Sequence, residues 1–247
     1  MLCLIQFYKM RKELDRIANR IKRTINGKYD LIFSQINTDN IGNKDVVNVG
    51  LLSLFVVSRD IINNSINSRN KNDYYSANIL IRKVFENSLI YIRLHDIQKL
   101  GDYFQLCNEV KSENIIKFDK STQKTKKDSF FNLSNIKESR NHFVKINSNV
   151  AQEIIDKKYS RLCEFTHFNL LQIGQYKHHL KQFQIDKKNI WSYDSEFDKE
   201  TIGHIMLSVE NLIFAIEHSC KNKKKYDKKI FDKLYKLIEK NRIDYEK

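Results

Sequence analysis

A chain of 247 residues with no proline and only 6 glycines is poorly equipped for the tight turns of a multi-stranded sheet. Long helices joined by loops of Asn, Asp, Ser and Lys need few such residues. The expected fold is therefore all-α, a multi-helix bundle with long helices and lysine-rich loops. With 15 Phe and 12 Tyr, the chain can fill a sizeable core. No internal repeat and no sharp shift in composition divides it, so residues 1–247 are read as a single all-α domain. An amphipathic helix at 1–27 and a basic helix at 221–247 are its expected appendages.

The clearest helix is Tyr74 to about Leu100, with Gly101 as its stop. It is apolar nearly all round, which is the pattern of a buried helix. Asn78, Arg82, Glu86, Leu89 and Arg93 nevertheless share one face, at i, i+4, i+8, i+11 and i+15. A buried charge must be paired and hydrogen-bonded. The stripe is thus either an internal clamp or part of a site.

Along the rest of the chain, helices are expected at 2–25 and 45–66. Asn26 and Gly27 end the first, and the second is too long for the strand that its β-branched run resembles. Residues 28–43 read as a loop with room for a short helical turn, 103–118 as a helix capped by Asp102, and 119–128 as a solvent-facing lysine loop. A short helix and loop at 129–146 precede a helical run from 150 to about 183, with room for a break near Thr166 to Asn169 or at Gly174. Residues 184–198 form a polar connection in which Asp198 caps the helix Ile202 to Cys220. His204, Glu210, Glu217 and His218 on that helix read as buried structural hydrogen bonding, because no i, i+4 His/carboxylate pair supports a metal site.

The net charge is +14, which suits an anionic partner, nucleic acid before membrane surface. The Lys, Asn and Ile bias of AT-rich coding produces the same sum. The lysines best placed to meet phosphates are Lys124, Lys126 and Lys127, and Lys223, Lys224 and Lys225. Cys3, Cys107, Cys163 and Cys220 lie far apart, without metal-ligand spacing, which fits a reduced, cytoplasmic setting. No uninterrupted apolar run of about 18 residues announces a transmembrane helix. No cofactor motif and no metal motif is present.

The second informative stretch is Tyr159 to His167, YSRLCEFTH. Arg161 and His167 stand six positions apart, with Glu164 midway. Together with Arg82-x-x-x-Glu86, this stretch resembles the HEPN superfamily, helical domains of which many are metal-independent ribonucleases in toxin and phage-defence systems. It is most similar to uncharacterised bacterial helical proteins in or near that group. The matching residues are Arg82 and Glu86, then Tyr159, Leu162, Cys163 in place of a serine, and His167, over roughly residues 45–180.

The resemblance implies an all-α bundle, often dimeric, that cleaves RNA without a cofactor. Arg161 would hold the phosphate and His167 would act as acid or base. Arg82, Glu86, Tyr159 and Glu164 would orient them. The expected partners are RNA and either a second copy or another protein of a defence system. Leu162 stands where active relatives carry a polar residue, and Arg140-Asn141 has the favoured dipeptide with His142 too close behind it. On an unbroken helix Arg161 and His167 would point about 120° apart. The alternative is a non-catalytic nucleic-acid-binding or regulatory protein of the same fold, with His167 bonded to a carboxylate such as Glu86 and Arg161 as surface charge.

Overall fold

The structure is a computed structural model that describes residues 2–36, 46–111, 132–147, 150–165, 194–223 and 226–246. Among these the chain is all-α, with no strand. The helices are α1 (Leu2–Gly27), α2 (Tyr29–Gln35), α3 (Val46–Asn70), α4 (Tyr74–Asp96), α5 (Leu100–Lys111), α6 (Ile136–Ile146), α7 (Gln152–Glu164), α8 (Ser195–Cys220) and α9 (Lys228–Glu246).

The apolar helix α4 is the axis of the bundle, packed most extensively against α8 and α3. Its Ile81, Val84, Phe85, Leu89, Ile92 and Leu94 are fully buried. Side-chain contacts fix the directions. Ser65 reaches the Ala77 carbonyl at one end of α3 and Tyr91 reaches the Val47 carbonyl at the other, so α3 and α4 are antiparallel. Asn78 meets Thr201 and His204, and Asp96 meets His218, so α4 and α8 are parallel. α1 returns antiparallel to α3, pairing Asp15 with Arg69 and Asn26 with Asn63. α9 returns along α8, setting Tyr235 against Glu217 and Arg242 against Glu210.

The terminal helices reach the same core as the rest. Ile17, Ile21 and Ile25 of α1 are buried, as are Phe231, Leu234 and Ile238 of α9. Among the described residues, one helix, Val47–Asn70, is long and apolar enough to cross a membrane by length and composition. In the bundle it packs on α1, α4, α5 and α8, with Leu51, Phe55, Ile62 and Ile66 fully buried. Gly50 lets α5 lie close to α3: a Cβ there would sit 2.8 Å from the Phe104 ring.

Several local expectations change. α4 ends at Asp96 rather than near Leu100, and Gln98 turns the chain with φ 56°. Gly101 stops nothing; it lies in the first turn of α5, and Asp102 pairs with Lys99 instead of capping. The short helical turn allowed for within 28–43 is the seven-residue helix α2, Tyr29–Gln35, around the buried Ile32. α8 begins earlier than expected, at Ser195, because Asp194 caps it by accepting from the backbone N–H groups of Glu196 and Phe197.

Asp198, expected as that cap, is instead buried. Its carboxylate takes Arg69 in a two-pronged ion pair, and Arg69 also binds Asp15. Arg69 is 2% exposed and Asp198 1%. Burial pushes the Asp198 carboxyl up and the Arg69 fork works against that shift. Arg69 occupies the last turn of α3 and Asp198 the first turn of α8, the ends at which each charge opposes the helix dipole favourably.

Candidate functional site

Three polar clusters line the axis formed by α4 and α8. The first lies near the N-terminus of α4. Asn78 is fully buried and donates its amide N–H groups to the Tyr74 carbonyl at 2.7 Å and to Thr201 Oγ1 at 2.8 Å. Its oxygen is therefore left to accept from His204 Nδ1 at 2.7 Å, which assigns the proton to that nitrogen. His204 Nε2 is buried without a hydrogen-bond partner. Burial, together with the nearby charges of Lys158 and Arg161, lowers the His204 pKa to about 3, so the ring is neutral at ordinary pH. This cluster is structural, as the sequence reading of His204 expected.

The second cluster lies at mid-helix. Arg82 donates from Nε to Glu86 Oε1 at 2.7 Å, and the two side chains are 15% and 14% exposed. Tyr159 of α7 enters this pair. Its hydroxyl donates to Glu86 at 3.2 Å and accepts from Arg82 at 3.3 Å. The Tyr159 ring stacks on Phe85 and carries the Arg140 guanidinium at 4.2 Å on its face. Burial, the bond with Cys163 and the nearness of Glu86 push the Tyr159 hydroxyl above the ordinary phenol range.

Residues from the two motif stretches thus form one hydrogen-bonded unit. Arg161 is turned away from it. Two positions on from Tyr159, it points to another side of α7, where its fork binds Glu200 at 2.6 and 3.1 Å and also Glu164. The bond to Glu200 is the main reason its pKa is raised. A phosphate would have to displace two carboxylates to reach this guanidinium. His167 lies outside the described residues, as do Lys124, Lys126, Lys127, Lys224 and Lys225. Lys223, the remaining lysine of that set, donates to Asn48.

The third cluster is at the C-terminal end of α4, and sequence reasoning did not find it. Asp96 collects three imidazoles. His218 Nε2 of α8 lies 2.8 Å from Oδ1, His142 Nε2 of α6 lies 2.8 Å from Oδ2, and His95 Nδ1 lies 3.1 Å from Oδ1. Burial alone would raise the Asp96 pKa, but the hydrogen bonds of His142, His218 and His95 hold it below the ordinary carboxylate range. The side chains of His95 and Asp96 are 25% and 22% exposed, so solvent reaches them. Aromatic rings hold the imidazoles in place: Tyr91 stacks on His95 and Phe214 on His218, and Phe143 meets Phe214 edge to face. Arg93, one turn earlier on α4, pairs with Glu138 beside this centre.

A cavity of about 740 Å³ runs beside α8, past Phe214. It is lined by Lys158, Lys221 and Arg242 together with Glu210, Glu217 and Glu239. Arg242 binds Glu210, so this lining is a mixed lattice of charges rather than a basic face for phosphates. Comparison with protein-family models, with curated proteins and with solved structures finds no match for the chain.

Proposed function

We propose that this protein is a HEPN-like, metal-independent endoribonuclease of a bacterial toxin or phage-defence system, working in the cytoplasm. The observation that carries the reading is the union of Arg82 and Glu86 with Tyr159. Motif residues far apart in the sequence meet through hydrogen bonds at the middle of the bundle. That unit fixes the rotation of α7, the helix that carries Arg161 and leads toward His167.

In this reading the 2′-hydroxyl of RNA attacks the adjacent phosphorus and the 5′-oxygen leaves, giving a cyclic phosphate. His167 removes the hydroxyl proton or supplies one to the leaving oxygen. Arg161 holds the phosphate and stabilises the charge that develops on it. Arg82, Glu86, Tyr159 and Glu164 orient these two. Arg161 must first give up its pairs with Glu200 and Glu164 to take the phosphate.

The same engagement of Arg161 by Glu200 and Glu164 favours a second reading, a non-catalytic RNA-binding or regulatory protein. Wild type, His167→Ala and Arg161→Ala, incubated with RNA in the presence of EDTA, separate the two. Cleavage with cyclic phosphate ends, reduced about 100-fold or more in either variant, supports the enzyme. Equal behaviour of folded wild type and folded His167→Ala removes the catalytic assignment. RNA binding without cleavage, weakening steeply with salt, supports the second reading.

A further inference from the structure

The geometry points to a binding site for a divalent transition-metal ion of the zinc class at His95, Asp96 and His218, with His142 bonded to the second oxygen of the Asp96 carboxylate. The site is separate from the Arg82–Glu86–Tyr159 unit and does not depend on the RNA reading.

The donor chemistry comes first. Two imidazole nitrogens and a carboxylate oxygen, from His95, Asp96 and His218, all lie within 4.8 Å of one another. Imidazole suits Zn²⁺, Cu²⁺, Ni²⁺ and Fe²⁺, whereas Mg²⁺ and Ca²⁺ take oxygen ligands. Donors at ordinary zinc distances in a tetrahedron are about 3.3 Å apart. The nitrogens of His218 and His95 are 2.8 and 3.1 Å from Asp96 Oδ1, each within a few tenths of an ångström of that spacing. His142 already faces the other carboxylate oxygen at 2.8 Å.

The electrostatics agree. α4 and α8 are parallel, so their C-terminal ends lie side by side, and His95, Asp96 and His218 all belong to last turns. Each end carries the partial negative charge of its helix dipole. A carboxylate added to two such ends is a poor local arrangement that a cation would correct.

The setting is also that of a held site. Tyr91 stacks on the His95 ring and Phe214 on the His218 ring, limiting their rotation before any ion arrives. The donors come from α4 and α8, and His142 of α6 holds the ligating carboxylate, so a bound ion would tie the bundle together at this end. Partial exposure of His142 and His218, each 23%, leaves a route for the ion and a position for water. His204 offers the contrast: it is sealed, with an amide rather than a carboxylate beside it.

The test uses the full chain, stripped of metal with a chelator and titrated with Zn²⁺ by calorimetry, with Mg²⁺ as control. The expected result is one Zn²⁺ per chain, no Mg²⁺ binding, and a melting temperature raised by about 5 °C at 100-fold excess over Kd. Asp96→Asn and His218→Gln, each checked for helicity by circular dichroism, should bind about 100-fold more weakly. Electron paramagnetic resonance of the wild type loaded with Cu²⁺ needs no variant and should show splitting from at least two imidazole nitrogens. No Zn²⁺ binding by wild type, undiminished binding in both folded variants, or Cu²⁺ without nitrogen splitting overturns the assignment.

Discussion

His204 shows what burial does to a single side chain. Its neutral ring is locked by Asn78, and its pKa is lowered to about 3 while an unfolded chain would titrate it near 6.5. Below about pH 6.5 the unfolded state therefore binds a proton that the native state refuses, and stability falls as pH drops toward the folded value. The expected loss between pH 7 and pH 5 from this residue is about 2 kcal/mol. Urea unfolding of wild type and His204→Gln at both pH values checks it. The variant should show the smaller pH dependence; an unchanged difference would mean that the ring is not held neutral. The sequence places His204 on an apolar face but does not reveal Asn78, because that partner stands on another helix. Asp198 was misread for the same reason. An acidic residue near a helix start looks like a cap until Arg69 arrives from α3.

At the scale of elements, α9 is joined to α8 by polar anchors as well as by apolar contact. Glu217 is buried and accepts hydrogen bonds from Tyr226 and Tyr235, each at 2.8 Å. Burial and the Glu217 carboxylate push the Tyr226 hydroxyl up to about 12 and that of Tyr235 higher still. Both tyrosines therefore remain donors at any ordinary pH. Tyr235→Phe removes one bond to a charged acceptor and should destabilise the fold by about 1.5–3 kcal/mol in urea titration. A loss near zero would show that Glu217 is satisfied by water instead. Helix existence was legible from the apolar periods of α1, α3, α4, α8 and α9. Helix ends were less so. Gly101 lies inside a helix because nothing there needs a left-handed residue; that role falls to Gln98. The meeting of Tyr159 with Glu86 was foreseeable only as a resemblance between motifs, since no local rule sets α7 against α4.

For the whole molecule, α1 and α9 test how far the core extends. Phe231, Leu234 and Ile238 of α9 are buried with the same cluster as α4 and α8. Uncovering such residues costs about 1.5–3 kcal/mol each, against a typical total stability of about 5–15 kcal/mol. A chain cut after Lys223 should therefore lose cooperative thermal unfolding and bind a hydrophobic dye, while keeping much of its helical circular dichroism. A sharp transition at the wild-type temperature would show that α9 is dispensable.

The absence of proline, the scarcity of glycine and the long apolar periods were enough to require a helical bundle, because they act within each segment and need no knowledge of neighbours. The charge of +14 likewise belongs to composition. Only the tertiary structure decided which polar residues meet. Arg69 finds Asp198, Tyr159 joins Arg82 and Glu86, and Asp96 gathers His95, His142 and His218. Those partners stand on different helices, and the register and direction of helix packing, which bring them within hydrogen-bond reach, are properties of no single stretch of sequence.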